Sequence, residues 1–117
     1  MKSLTINGLV AAVIALFFTV NASAQSTLNN DTLKVSGNCE MCKKRIESAS
    51  LKTKGVKTAV WDDKTETLTV SYDASKTSLT VIGESVAKAG YDNRIAKSTD
   101  PAYSKLPACC KYVRNKK

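Results

Sequence analysis

From Thr32 onward the chain switches repeatedly between two hydrophobic periods. Thr32-Leu33-Lys34-Val35-Ser36 alternates polar and apolar residues, as a half-buried strand does, and Gly37-Asn38 ends it. A helix is expected from about Met41 to Thr53, with Ile46, Ala49, Ser50 and Thr53 inward and Gly55 as its stop. Val56–Asp62 reads as a second strand with Ala59 and Trp61 inward, followed by a polar turn over Asp63–Glu66. Thr67–Tyr72 alternates most sharply, with Leu68, Val70 and Tyr72 on one side and Thr67, Thr69 and Ser71 on the other. Ser78 is a helix N-cap, and Leu79, Ile82, Val86 and Ala89 share one helical face. Gly90 closes that helix, and Tyr91–Ala96 supplies a short last strand.

The element order is therefore βαββαβ. Each strand has one apolar face, so both helices should cover the same side of the sheet. That is an α+β, ferredoxin-like sandwich with a four-stranded antiparallel sheet and two helices on one face. The flanks differ. Gln25–Asn30 is polar and is expected to fray. Past Ala96 the periodicity stops, leaving residues 97–117 as a basic C-terminal tail in which Asp100-Pro101 marks a helix start.

Residues 1–24 have the plan of a secretory signal peptide. Lys2 gives a positive start, Leu9–Val20 is almost wholly apolar, and Ala22-Ser23-Ala24 is a small-x-small cleavage site. The apolar run is short of the ~20 residues a membrane-spanning helix needs. The expected mature chain runs from Gln25 to Lys117, periplasmic or secreted, and does not span a membrane. There are 18 basic and 10 acidic side chains, a net charge of +8. Export makes nucleic acid an improbable target for that charge, which leaves an acidic partner or a solvated Lys-rich surface.

Four cysteines and no histidine restrict the chemistry to sulfur. Cys39-Glu40-Met41-Cys42 places two thiols at a helix start, where the partial positive charge of the helix end favours thiolate. Such a pair grips a soft metal ion or cycles through a disulfide. Two thiolates suit Cu(I), and Hg(II) equally well by softness, whereas Zn(II) wants four ligands. Lys43, Lys44 and Arg45 follow the pair and could both stabilise thiolates and steer an acidic surface onto them. No acid/base pair, nucleophile constellation or phosphate loop is present, so no enzyme is expected.

Gly37-Asn38-Cys39-Glu40-Met41-Cys42, then Ile46-Glu47, Gly55-Val56 and Gly90-Tyr91, resemble the heavy-metal-associated domain family over about Asp31–Ala96. The family includes copper chaperones, domains of copper-pumping ATPases and the periplasmic mercury-binding protein. The resemblance implies that Cys39 and Cys42 are the metal ligands on an exposed loop, and that Tyr91 lies near them as a shield. The chain departs from the family pattern Gly-Met-x-Cys: Gly37-Asn38-Cys39 is one residue shorter and lacks the Met. Ser50 and Thr53 also stand where larger aliphatics are common.

The expectation is an exported soft-metal carrier or scavenger, with Cu(I) or another thiophilic ion as cargo. It would hand the ion on by ligand exchange to the acidic surface of a metal-transporting membrane protein or another acceptor. The rival is a thiol-disulfide redox protein using the same pair. That class places a Pro opposite its disulfide, and this chain has no Pro before Pro101.

Cys109-Cys110 lies outside the resemblance. The last strand is expected to end at the pole of the sheet opposite the Cys loop, yet the chain from Ala96 to Cys109 reaches about 40 Å when extended, enough to return. Three arrangements stand: added ligands for Cys39 and Cys42, a separate soft-metal site, or a disulfide with the tail strapped down through Tyr103, Leu106 and Tyr112.

Overall fold

The computed structural model describes residues 28–114, so the signal-peptide reading of residues 1–24 lies outside the described residues. Strands β1 (Leu28–Lys34), β2 (Val56–Asp62) and β3 (Thr67–Asp73) form one antiparallel sheet in the order β1-β3-β2. Helices α1 (Glu40–Leu51) and α2 (Leu79–Lys88) follow β1 and β3, and a short helix α3 (Asp100–Ser104) and a 3-10 turn (Ala108–Cys110) lie in the tail. Register brings the apolar positions together: Leu33 and Trp61 both pair with Leu68, and Ala59 pairs with Val70. That face meets Ile46 of α1 and Ile82 and Val86 of α2 in one buried cluster. Burying each such side chain contributes about 1.5–3 kcal/mol.

The small inner face of α1 is satisfied from within. Ser50 is fully buried, and its hydroxyl donates to the Ile46 carbonyl at 2.9 Å, while Thr53 donates to the Ala49 carbonyl at 3.3 Å. Both hydroxyls bond back along the helix, so a polar residue costs little there. On the edge strand β2, Trp61 N–H donates to Glu47 at 2.8 Å and the Trp61 carbonyl accepts from Lys43 at 2.9 Å. Two α1 side chains thus occupy main-chain groups that a sheet edge would leave open.

Two expectations need correction. The four-stranded sheet has three strands among the described residues, and the fourth is reduced to a single bridge between Val35 and Asn93. The cause is Asn93. Its Oδ1 accepts from the amides of Ile95 and Ala96 at 3.0 and 3.1 Å, and its own N–H donates to the Ala96 carbonyl. Those groups close a turn in place of a ladder. The frayed start is also shorter than expected, because Leu28, Asn29 and Asn30 pair with Asp73, Tyr72 and Ser71. Their side chains are exposed, so the strand extension has no hydropathy signal.

The N-cap of α2 is as expected, with Ser78 accepting from Val81 N–H. The Asp100-Pro101 helix start is likewise present, capped by Thr99, which accepts from Ala102 N–H at 3.2 Å.

Candidate metal centre

Cys39 is the N-cap of α1, in extended conformation, and its carbonyl accepts the first helical hydrogen bond from Lys43 N–H at 3.0 Å. Cys42 is one turn on. That three-residue offset puts both side chains on one side of the helix start, with their sulfurs 3.3 Å apart. Cys42 donates its S–H to Asn38 Oδ1 at 3.1 Å. Below the loop lies the Trp61 ring, whose N–H donates to the Val35 carbonyl at 3.0 Å. A β-carbon on Gly37 would stand only 3.0 Å from that ring and 3.3 Å from the Cys42 Cβ. Glycine at 37 therefore lets the short loop lie against Trp61, which fills the space beneath it.

The tail brings a third sulfur. Cys110 sits at the end of the 3-10 turn, fully buried, with Sγ 3.8 Å from Cys39 Sγ. The sulfurs of Cys39, Cys42 and Cys110 all lie within 4.8 Å of one another. Cys109 stays outside: it is exposed, 3.9 Å from Cys110 Sγ and 3.8 Å from the sulfur of Met41. All four cysteines are free thiols. The sequence singled out neither Met41 nor Asn38 as a site neighbour, and only their positions, Asn38 just before the pair and Met41 within it, pointed to them.

Why the tail returns is legible in its contacts. Gly90 has φ +111°, and a β-carbon there would lie 2.8 Å from Leu106 Cδ2, so glycine both ends α2 and seats Leu106. Tyr112 donates its hydroxyl to the Gly90 carbonyl and accepts from Asp92 N–H, both at 2.8 Å. Its ring stacks on Tyr91 and meets Tyr103 edge-on, and Tyr103 donates its hydroxyl to the Tyr112 carbonyl. Arg114 then grips Asp92 with two N–H donors at 2.9 and 3.0 Å and reaches the Ser98 carbonyl at 2.6 Å and Asp100 at 2.8 Å. The strap through Tyr103, Leu106 and Tyr112 is thus present, and it delivers Cys110 to the pair.

The thiols are electrostatically unequal. Burial works against ionisation of Cys39, but the amides of Cys42 and Met41 at the helix start and the neighbouring sulfurs outweigh it and hold its pKa down. Burial pushes Cys42 up to about 11, and Cys110 is raised by the same cause. The phenol of Tyr91 is fully buried and shifted upward, first by burial and then by Cys110 and Cys42 beside it. Its hydroxyl has no hydrogen-bond partner among the described residues. Tyr91 therefore lies beside the sulfurs, the position that the family resemblance implied.

Lys43 does not face them. Its ammonium pairs with Glu47 at 2.6 Å and donates to the Trp61 carbonyl, which fastens α1 to β2. Lys44 and Arg45 instead join Lys52 and Lys88 around an open groove of about 620 Å³ between α1 and α2.

Sulfur-only donors at a helix start fit a soft, low-coordinate ion and suit a hard cation poorly. Fold and donor set together define a small thiolate metal-binding domain. The heavy-metal-associated domain profile matches residues 32–92, and the chain belongs to that family. Among solved structures, the CopZ metallochaperone is 30% identical with a TM-score of 0.54, the match covering 56% of this chain and 98% of that one. Oxidized MerP from Ralstonia metallidurans CH34 is also 30% identical with a TM-score of 0.54, covering 56% and 93%. The N-terminal domain of a potential copper-translocating P-type ATPase from Bacillus subtilis, in its Cu(I)-loaded state, is 30% identical with a TM-score of 0.55, covering 62% and 92%. Among curated proteins, no sequence matches the chain. The family match ends at residue 92, so the strap and Cys110 lie beyond it.

Proposed function

We propose that this protein is an exported carrier or scavenger of a soft metal ion, with Cu(I) as first cargo and Hg(II) as its chemical competitor. The observation that carries this reading is the helix-start thiol pair, Cys39 and Cys42, with sulfurs 3.3 Å apart in a heavy-metal-associated domain. A Cu(I)-loaded domain of a potential copper-translocating ATPase stands among the similar structures, which supports Cu(I), and the softness of a thiol pair is what admits Hg(II). A low coordination number leaves the ion open to attack by an acceptor thiolate, so it moves by ligand exchange without release to water. Lys44, Arg45, Lys52 and Lys88 rim the groove beside α1, and that charge suits the acidic face of a metal-transporting membrane protein. The apolar run and cleavage site of residues 1–24 support export.

Competition for Cu(I) between the fully reduced mature protein and a chelator tests the reading. Tight binding that disappears in Cys39→Ser/Cys42→Ser is expected, and binding unchanged in that variant would overturn it. Cell fractionation of the full-length chain tests export. Lys44→Glu/Arg45→Glu should slow transfer to an acidic acceptor and flatten its salt dependence.

A further inference from the structure

Soft d¹⁰ ions take two or three thiolates, and the strap decides the number here. Resting on the soft-metal reading above, we propose that Cys110 is a third thiolate ligand beside Cys39 and Cys42, with the Tyr91 hydroxyl donating to a coordinated sulfur. Three sulfurs at about 2.3 Å from a central ion, in one plane, stand about 4 Å from one another. The Cys39–Cys110 separation of 3.8 Å already matches that triangle, and all three sulfurs fall within 4.8 Å. A linear two-sulfur ion needs its ligands about 4.6 Å apart on opposite sides. The 3.3 Å between Cys39 and Cys42 would have to open by about 1.3 Å for the linear pair and by about 0.7 Å for the triangle.

Tyr91 supplies an independent observation. Its hydroxyl is buried beside Cys110 and Cys42 and has no hydrogen-bond partner among the described residues. A neutral thiol is a weak acceptor, whereas a thiolate bound to a metal keeps negative charge and accepts strongly. The orphaned donor is therefore satisfied on loading. A phenylalanine would fill the same space, so packing alone gives no reason for the hydroxyl.

Three thiolates around Cu(I), two of them on buried residues, carry excess negative charge, and the Tyr91 O–H and the amides opening α1 are the dipoles that offset it. Binding removes one proton from each thiol that is still protonated, and those protons pass to water. In handover an acceptor thiolate forms a bond to the ion as the Cys110–ion bond breaks. The coordination number and oxidation state are unchanged. The strap thus holds the one ligand that can leave without disturbing the helix start.

X-ray absorption on the reduced mature protein loaded with one equivalent of Cu(I), and separately with Hg(II), counts the sulfurs. Three are expected in the parent and in Cys109→Ser, and two in Cys110→Ser. Chelator competition should show Cys110→Ser losing affinity, and Tyr91→Phe losing about tenfold or more while keeping three sulfurs. Two sulfurs in the parent, with Cys110→Ser unchanged, would overturn the third ligand and leave the soft-metal reading standing. Absence of tight binding in the parent would overturn both. Circular dichroism of each variant separates loss of a ligand from loss of fold.

Discussion

Cys110 Sγ lies 3.8 Å from Cys39 Sγ although 71 positions separate them in the chain. The contact exists because the tail turns back at Asn93 and locks onto the end of α2. Contacts between Gly90 and Arg114 hold that return, so the strap is the natural place to perturb the cluster without touching Cys39 and Cys42.

The Asp92–Arg114 latch should be measurable as stability. Its partners are 13% and 17% exposed, and the bonds are charge-assisted. Arg114→Ala should cost about 1.5–3 kcal/mol in urea unfolding and expose Cys110 to thiol-modifying reagents. Unchanged Cys110 protection would show that the tyrosines hold the strap alone.

Acid should weaken the same latch. Burial opposes ionisation of Asp92, but Arg114 and the Ser98 N–H overcome it and hold the carboxyl below its ordinary range. The folded pKa is thus depressed, and the stabilisation is fully present above the unfolded value of about 3.9. It is lost as pH falls through the folded value. Unfolding followed from pH 6 downward should show this loss in the parent and a smaller one in Asp92→Asn.

Tyr91→Phe should move two properties in opposite directions. Removing a buried hydroxyl that lacks a partner should stabilise the metal-free protein by about 1 kcal/mol, while metal affinity falls. Thermal unfolding with and without Cu(I) reads both. A metal-free protein destabilised by the change would mean that the hydroxyl is already bonded.

Gly90→Ala tests the seat of the strap. Alanine would have to hold φ near +111° and meet Leu106 at 2.8 Å. A loss of about 1–3 kcal/mol is expected, recovered in part when Leu106→Ala makes room. A double variant no better than the single one would place the cost in the backbone alone.

The thiols should also react in a definite order. Cys39 is held below its ordinary pKa and Cys42 is pushed up to about 11. Limited iodoacetamide treatment near neutral pH, read by peptide mass mapping, should label Cys39 well before Cys42. The reverse order would contradict the helix-start account of Cys39.

Periodicity made most of the fold legible. Alternation in Thr67–Tyr72 and the Ser78 cap need only near neighbours, and both recur in the structure. The fourth strand was expected to complete the βαββαβ order, yet Tyr91–Ala96 holds Asp92 and Asn93, which strands disfavour, and the Asn93 side chain takes the amides that a ladder would use. The extension of β1 through Leu28–Asn30 was missed because its gain is in main-chain bonds, which leave no hydrophobic pattern. Lys43 looked like a charge for the thiolates because it follows Cys42, but Glu47 lies one turn further on and claims it.

The place of Tyr91 came from the family resemblance; by itself the sequence determined the helix-start thiol pair, the sulfur-only donor set, and the strands and helices that carry them. These depend on spacing and local conformation, which a chain writes directly. Only the tertiary structure decided which tail cysteine joins the pair. Cys109 and Cys110 are adjacent and chemically identical. The choice rests on Leu106 against Gly90, Tyr112 on Gly90 and Asp92, and Arg114 on Asp92, which together turn one thiol inward and leave the other at the surface.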